Sequence, residues 1–223
     1  VKRRLYIAAV NNRYGSNVFL PLAAGLMWAY ARRRPKIAEA YELCDMLYMK
    51  EPIDVALARL DRPDVLALSS YIWNWEWNKA FAKEVKQRWP RCAILVGGVQ
   101  VPNASPRALD ENPQFDFAIY GEGEEAFAQF LEDQLLDEPT NIVDSLIWRA
   151  NDGTARVNPR AKPVELDEIP SPYLEGLFDH LVADKRWMWN ALQETNRGCP
   201  YSSFGGETYV ALPDRILRFD EES

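Results

Sequence analysis

The stretch Ala93-Ile94-Leu95-Val96-Gly97-Gly98 constrains the fold more than any other part of this chain. Four apolar residues run without a break and two glycines stop them. An uninterrupted apolar run reads as a strand covered on both faces, as in a parallel sheet between helical layers. Paired glycines permit φ > 0 or the close approach of something bulky, so a plain turn and a binding site both fit them. In open α/β sheets ligands sit beyond the carboxyl ends of the strands. That strand end is therefore the first candidate site.

The same pattern recurs along the chain. Leu5 to Val10, Tyr41 to Tyr48, Val65 to Ser70 and Phe115 to Tyr120 read as further strands. Between them lie helical patterns: from Pro21 through Leu22, Leu26 and Tyr30; over Ile53 to Leu60; through Phe81, Val85 and Trp89; within Pro102 to Asn112; and over Ala126 to Leu136. Prolines near helix starts or just past their ends, and cations in last turns, punctuate these segments in the usual way. The alternation predicts an α/β fold, a doubly wound five-stranded parallel sheet. Right-handed crossovers would then gather the loops after strands one, three, four and five along one edge.

From Asn141 the texture changes. Ser145 to Arg149 and Thr154 to Val157 flank Asn151-Asp152-Gly153, a strong hairpin signal. Pro159, Pro163, Pro170 and Pro172 then predict an extended strap over a surface. Ala191 to Glu194 reads as a possible new strand. These shifts divide the chain into 1–140, a Rossmann-like domain, 141–190, a hairpin and proline-rich linker, and 191–223, a further start.

A net charge of −7 and a pI near 4.9 argue against a general nucleic-acid binder. No apolar stretch approaches the roughly 20 residues that span a bilayer, so no membrane role is expected. The three cysteines Cys44, Cys92 and Cys199 are widely spaced and odd in number, which predicts a reducing, cytoplasmic setting rather than a disulfide framework.

Three further features occur in order: Gly121-Glu122-Gly123-Glu124, Ile169-Pro170-Ser171-Pro172-Tyr173, and Asn196-Arg197-Gly198-Cys199-Pro200-Tyr201-Ser202. Together with Gly97-Gly98 the chain resembles the amino-terminal half of cobalamin-dependent radical S-adenosylmethionine enzymes. The resemblance implies a Rossmann-like cobalamin-binding domain and the start of a radical S-adenosylmethionine (β/α) barrel, whose first loop carries three cysteines spaced C-x3-C-x2-C. In that family the three thiolates hold a [4Fe–4S] cluster and leave one iron open to chelate S-adenosylmethionine. Here the positions at that spacing are Cys199, Ser203 and Gly206. Hydroxyl and hydrogen cannot replace thiolate at an Fe–S site. Cys199 is thus the one remaining metal ligand of the triad and is expected to be non-functional. S-Adenosylmethionine and [4Fe–4S], which belong to the parent family, are not expected to bind this chain. With Ser223 as the last residue, the barrel is expected to be a missing packing partner.

The resemblance places cobalamin over the carboxyl ends of the strands, with its nucleotide tail beside the sheet. The candidate cofactor-binding residues are then Asn11 and Tyr14 after strand one, and Ser69, Ser70, Tyr71, Trp73 and Asn74 after strand three. Gly97, Gly98, Val99 and Pro102 follow strand four, and Gly121, Glu122, Gly123 and Glu124 follow strand five. The glycines would give close approach, the hydroxyls and amides polar anchors, and Tyr71 and Trp73 an apolar wall. Each has an ordinary reading too: turn residues for the serines, a helix N-terminus for Glu124 or Glu125, and packing against another domain for Trp73, Trp75 and Trp77. Many cobalamin carriers supply an axial histidine from D-x-H-x-x-G after strand one, but Asn11 to Ser16 holds none, and His180 lies far along the chain.

The expected function is the cobalamin-binding portion of a methyltransferase-type radical enzyme. The alternative is a docking module of the same family that no longer binds cobalamin. Another nucleotide-binding enzyme lacks support, because neither G-x-G-x-x-G after strand one nor G-x-x-x-x-G-K-[ST] is present.

Overall fold

The computed structural model describes residues 1–136, 139 and 141–194. In chain order the elements are β1 (Arg3–Asn11), β2 (Asn17–Phe19), α1 (Leu22–Ala31), α2 (Pro35–Ala40), β3 (Tyr41–Met49), α3 (Ile53–Ala58), β4 (Val65–Ser69) and α4 (Trp75–Arg88). There follow β5 (Ala93–Gly97), α5 (Arg107–Asp110), β6 (Phe117–Ile119), α6 (Glu124–Asp133), β7 (Leu146–Arg149), β8 (Ala155–Val157), α7 (Asp179–Val182) and β9 (Met188–Asn190).

Alternation along the strands builds the layers. Leu5, Ile7 and Ala9 of β1 join one core cluster, and Tyr6, Ala8 and Val10 join the other. Val65 and Ala67 part from Leu66 and Leu68 in the same way, as Leu95 parts from Ile94 and Val96. Successive side chains point to opposite faces, so a continuous apolar run feeds two cores at once. One face is covered by α1 and α6, through Ala24, Trp28, Phe127, Phe130 and Leu131. The other is covered by α3, α4 and α5, through Ala56, Trp77, Phe81, Val85 and Leu109. Trp77, Phe81 and Val85 recur every four residues, which places them on one face of α4. Trp89 has left the helical region at φ −134°, as the residue before Pro90 must.

The strand order is β3-β1-β4-β5-β6-β7-β8. The first five strands are parallel, and β7 and β8 add antiparallel. The sheet therefore has seven strands and not five. The expected hairpin forms, but β7 pairs with β6, Ile119 opposite Leu146, and so extends the main sheet. A second, two-stranded sheet pairs β2 with β9 in parallel. The new strand thus falls on Met188–Asn190, and Ala191 to Glu194 form none.

The proline-rich strap is tied to the helical layer through Gly25 of α1. A Cβ there would overlap the Phe178 ring and approach the Pro172 Cβ to 2.7 Å. Phe178 is buried and Tyr173 packs edge-on against it at 5.2 Å. No helix among the described residues is long and apolar enough to cross a membrane.

Candidate functional site

The parallel strands run in the order two-one-three-four-five, so chain direction across the sheet reverses between β1 and β4. The helix after β1 packs on one face and the helix after β4 on the other. Their divergence opens a crevice at the strand ends, where doubly wound sheets bind ligands. The cleft found there has a volume of about 820 Å³. That lies toward the upper end of the roughly 300–1,000 Å³ usual for small-molecule sites.

Its inner part is a slot between the sheet and the α1–α6 layer. Ile7, Ala9, Ala67, Leu95 and Ile119 line the sheet side, Leu22 to Ala24 and Met27 the α1 side, and Phe127 the α6 side. The small side chains of Ala9 and Ala67 leave that slot open. Its mouth is built by the loops. Asn11, Ser69, Tyr71, Trp73, Gly97, Gly98, Val99, Gly121, Glu122, Gly123 and Glu124 all border the cleft. Tyr71 and Trp73 stack nearly parallel, ring centroids 4.5 Å apart. The Trp73 indole donates to Asn11 Oδ1 at 3.0 Å, which links the loops after β1 and β4. Burial, and after it the nearby Glu194 carboxylate, raise the Tyr71 phenol above its ordinary pKa. Tyr71 is therefore a neutral hydroxyl at physiological pH.

The two glycines after β5 differ in their surroundings. A Cβ on Gly97 would meet only the Ile119 carbonyl oxygen, at 3.8 Å. Gly98 has φ +98°, and a Cβ there would lie 2.7 Å from the Ser70 carbonyl oxygen and 2.9 Å from its nitrogen. Gly98 is thus required by the protein's own backbone, whereas Gly97 leaves space that protein does not fill. Gly121 has φ +75°, and a Cβ there would lie 3.8 Å from Arg160 Cζ; Gly123 caps α6 beside Met27. Glu124 opens α6 and is buried.

Four candidates stand elsewhere. Ser70 is fully buried and its hydroxyl donates to the Gly97 carbonyl at 2.6 Å, so it braces the strand ends. Asn74 is buried too: its amide donates to the Val10 and Ser69 carbonyls, each at 3.0 Å, and its Oδ1 accepts from the Tyr71 N–H at 2.8 Å. It shapes the loop and has no reach into the cleft. Tyr14 is exposed in the turn before β2, and Pro102 is exposed beside Val101; neither lines the cleft. The tryptophan set also divides. Trp73 belongs to the loop, but Trp75 and Trp77 lie in the first turn of α4, where Trp75 packs on Phe115 and Trp77 stacks on Phe81. Their spacing of two falls in a helix start, and both rings make contacts within this domain.

Sequence reasoning missed the α1 wall, Arg160, and the segment Leu192 to Glu194, which also border the cleft. The last is held there by Tyr173, whose hydroxyl bonds to both the N–H and the carbonyl of Leu192. No local signal marks Arg160 or Leu192, because contacts distant in sequence bring both. His180 is exposed on α7 and borders a separate groove by β3. No group of three or more His, Cys, Asp or Glu side chains suited to a metal occurs among the described residues, and Cys199, Ser203 and Gly206 lie outside them.

Residues 41–131 match the B12 binding domain family. The chain is 35% identical over 99% of its length to the cobalamin-dependent radical SAM methyltransferase TokK of Streptomyces tokunonensis. It is also 35% identical, again over 99% of its length, to the 2-(S-pantetheinyl)-carbapenam-3-carboxylate methyltransferase of Streptantibioticus cattleyicolor. It spans 32% of each of these curated relatives. Among solved structures it resembles OxsB, a cobalamin-dependent S-adenosylmethionine radical enzyme with aqua-cobalamin and S-adenosylmethionine bound. The TM-score is 0.68 at 19% identity, over 90% of this chain and 27% of that one. The radical S-adenosylmethionine methyltransferase TsrM of Kitasatospora setae gives 0.55 at 13% identity, over 77% of this chain and 31% of that one. These two likenesses concern the fold. The seven-stranded sheet with its cleft at the switch point is the Rossmann-like frame anticipated from the loops, and the chain is similar along nearly its whole length to cobalamin-dependent radical S-adenosylmethionine enzymes, with a B12 binding domain match over residues 41–131.

Proposed function

We propose that this chain binds cobalamin in the cleft at the ends of β1, β4, β5 and β6, as the corrinoid-binding part of a methyltransferase-type enzyme. The observation that carries this reading is the open Cβ position of Gly97, beside the Tyr71–Trp73 stack and above an apolar slot. A broad, flat macrocycle needs backbone at close range, an aromatic surface, and somewhere for its nucleotide tail; the residues present fit each need. Gly97 and Gly121 would lie under the corrin edge. Tyr71 and Trp73 would cover part of one face, and Asn11 and Ser69 would meet side-chain amides. Ala9, Ala67, Leu95 and Phe127 would enclose the tail.

Cobalamin, when bound, supplies a methyl group carried on cobalt. The chain's part would be to hold the ring and exclude water with the aromatic pair; its one histidine does not line the cleft. The cluster motif of this chain is incomplete in our reading, which rests on Ser203 and Gly206 standing where the family has cysteine. Residues 1–140 form the binding unit, 141–190 the hairpin and strap packed on it, and 191–223 the start of the radical domain. Methyl transfer itself and the choice of substrate would belong to a longer protein of the relatives' length. The direct test is the absorbance spectrum after mixing with hydroxocobalamin and desalting: co-eluting corrinoid near one equivalent supports the proposal, and none overturns it.

A further inference from the structure

Four charged side chains border the cleft: Glu122, Glu124, Glu194 and Arg160. Arg160 is the one cation among the described lining residues. It forms no ion pair with a described carboxylate; its guanidinium donates to Asn103 Oδ1 and lies 5.8 Å over the Tyr120 ring. Asn103 and the ring leave most of its five N–H donors to solvent or to a ligand.

The position of this cation is set on both sides. The Ser145 N–H donates to the Pro159 carbonyl at 2.6 Å, and the Ala161 N–H donates to the Ser145 hydroxyl at 2.8 Å. The Tyr120 hydroxyl holds the Asn158 carbonyl at 2.7 Å. Ser145 is buried, has φ +59°, and accepts the Tyr120 N–H at 3.2 Å. A non-glycine residue in that conformation persists only where the surroundings hold it. Residues on each side of Arg160 are thus bolted to the end of β6, and the side chain is set beside Gly121, two residues after Ile119 of the slot.

We infer that Arg160 binds the phosphodiester of the corrinoid's nucleotide tail where the tail enters the slot. The inference rests on the cobalamin-binding reading and assigns a residue to one part of that ligand. The phosphodiester is the only anionic group of the tail, and three carboxylates border the rest of the cleft. A guanidinium with unspent donors is matched to phosphate in charge and in planar geometry. Corrin carboxamides and the ribose are neutral and need no cation. The prediction that follows is selectivity for corrinoids that carry phosphate.

The experiment compares cobinamide, which lacks the phosphate, with cobinamide phosphate, which has it without the base. Binding of each to the full chain is titrated by absorbance, for the unmodified protein and for Arg160→Gln, with thermal melts as a folding control. Cobinamide phosphate should bind about tenfold tighter than cobinamide, a charge-assisted hydrogen bond discounted for exposure, and the advantage should vanish in Arg160→Gln. Arg160→Lys should keep part of it, because charge remains and the fork is lost. Equal binding of both corrinoids by the unmodified chain overturns the assignment while leaving the cobalamin reading intact. Equal weakening of both by Arg160→Gln also overturns it, because Arg160 then supports the cleft and not the phosphate. Binding of neither by the unmodified chain, with hydroxocobalamin also lost on desalting, removes the reading beneath it.

Discussion

Gly98 and Ser70 occupy one small space: a Cβ on Gly98 would come within 2.7 Å of the Ser70 carbonyl oxygen. The Ser70 N–H bonds to the Gly97 carbonyl at 2.7 Å, so the loops after β4 and β5 interlock at the edge of the cleft. Gly98→Ala combines this overlap with a strained φ, and should destabilise the domain by about 2–3 kcal/mol. Chemical denaturation measures it; an unchanged midpoint would show that the loop yields easily.

Asn74 joins the ends of the two paired strands that flank the switch point. It bonds to Val10 at the end of β1 and to Ser69 at the end of β4. Asn74→Ala removes the side-chain partner of the Val10 carbonyl and of the Tyr71 N–H in a buried setting, while the Ser69 carbonyl keeps the Asn78 amide at 3.1 Å. The expected loss is about 2–4 kcal/mol, read by the same denaturation. A loss below about 0.5 kcal/mol would mean that water replaces the amide at no cost.

Glu125 links α6 to the end of α1. Burial opposes its charge, but hydrogen bonds from Arg34, Gln129 and Tyr30 prevail and hold its pKa below the ordinary 4.5. A depressed carboxylate stabilises the fold fully above its unfolded pKa, and that contribution is lost as pH falls through the folded value. The melting-temperature deficit of Glu125→Gln should therefore be largest near neutrality and shrink below about pH 4. A deficit unchanged down to pH 3 would assign the stabilisation to neutral hydrogen bonds.

The one histidine of the chain, His180, is exposed on α7, away from the cleft. Electron paramagnetic resonance of the cob(II)alamin-loaded protein should show no nitrogen splitting from a protein imidazole. His180→Ala should leave the spectrum unaltered, and any change on that substitution would contradict the placement of α7.

Much of the frame was legible in the sequence because burial on both faces writes itself as unbroken apolar runs. Leu5 to Val10 and Ala93 to Val96 show it directly. Gly97 and Gly121 were legible as breaks at the strand ends, and both border the cleft. What escaped was set by distant contacts. Ser145, Pro159 and Ala161 place Arg160, and Tyr173 places Leu192; neither leaves a local pattern. The spacing of two in Trp75 and Trp77 did not reveal that both lie in the first turn of α4. The short β2 and β9 carry too few residues to announce a pairing between segments so far apart.

The central claim is that Gly97 marks the floor of a corrinoid site. Gly97→Leu places a side chain where the nearest protein atom is the Ile119 carbonyl oxygen, at 3.8 Å from the new Cβ, so the fold should survive. The deciding measurement is the corrinoid absorbance that co-elutes with each protein after incubation with hydroxocobalamin and desalting. The account predicts close to one equivalent on the unmodified chain and almost none on a folded Gly97→Leu. Equal retention by both, or none by either, would contradict it.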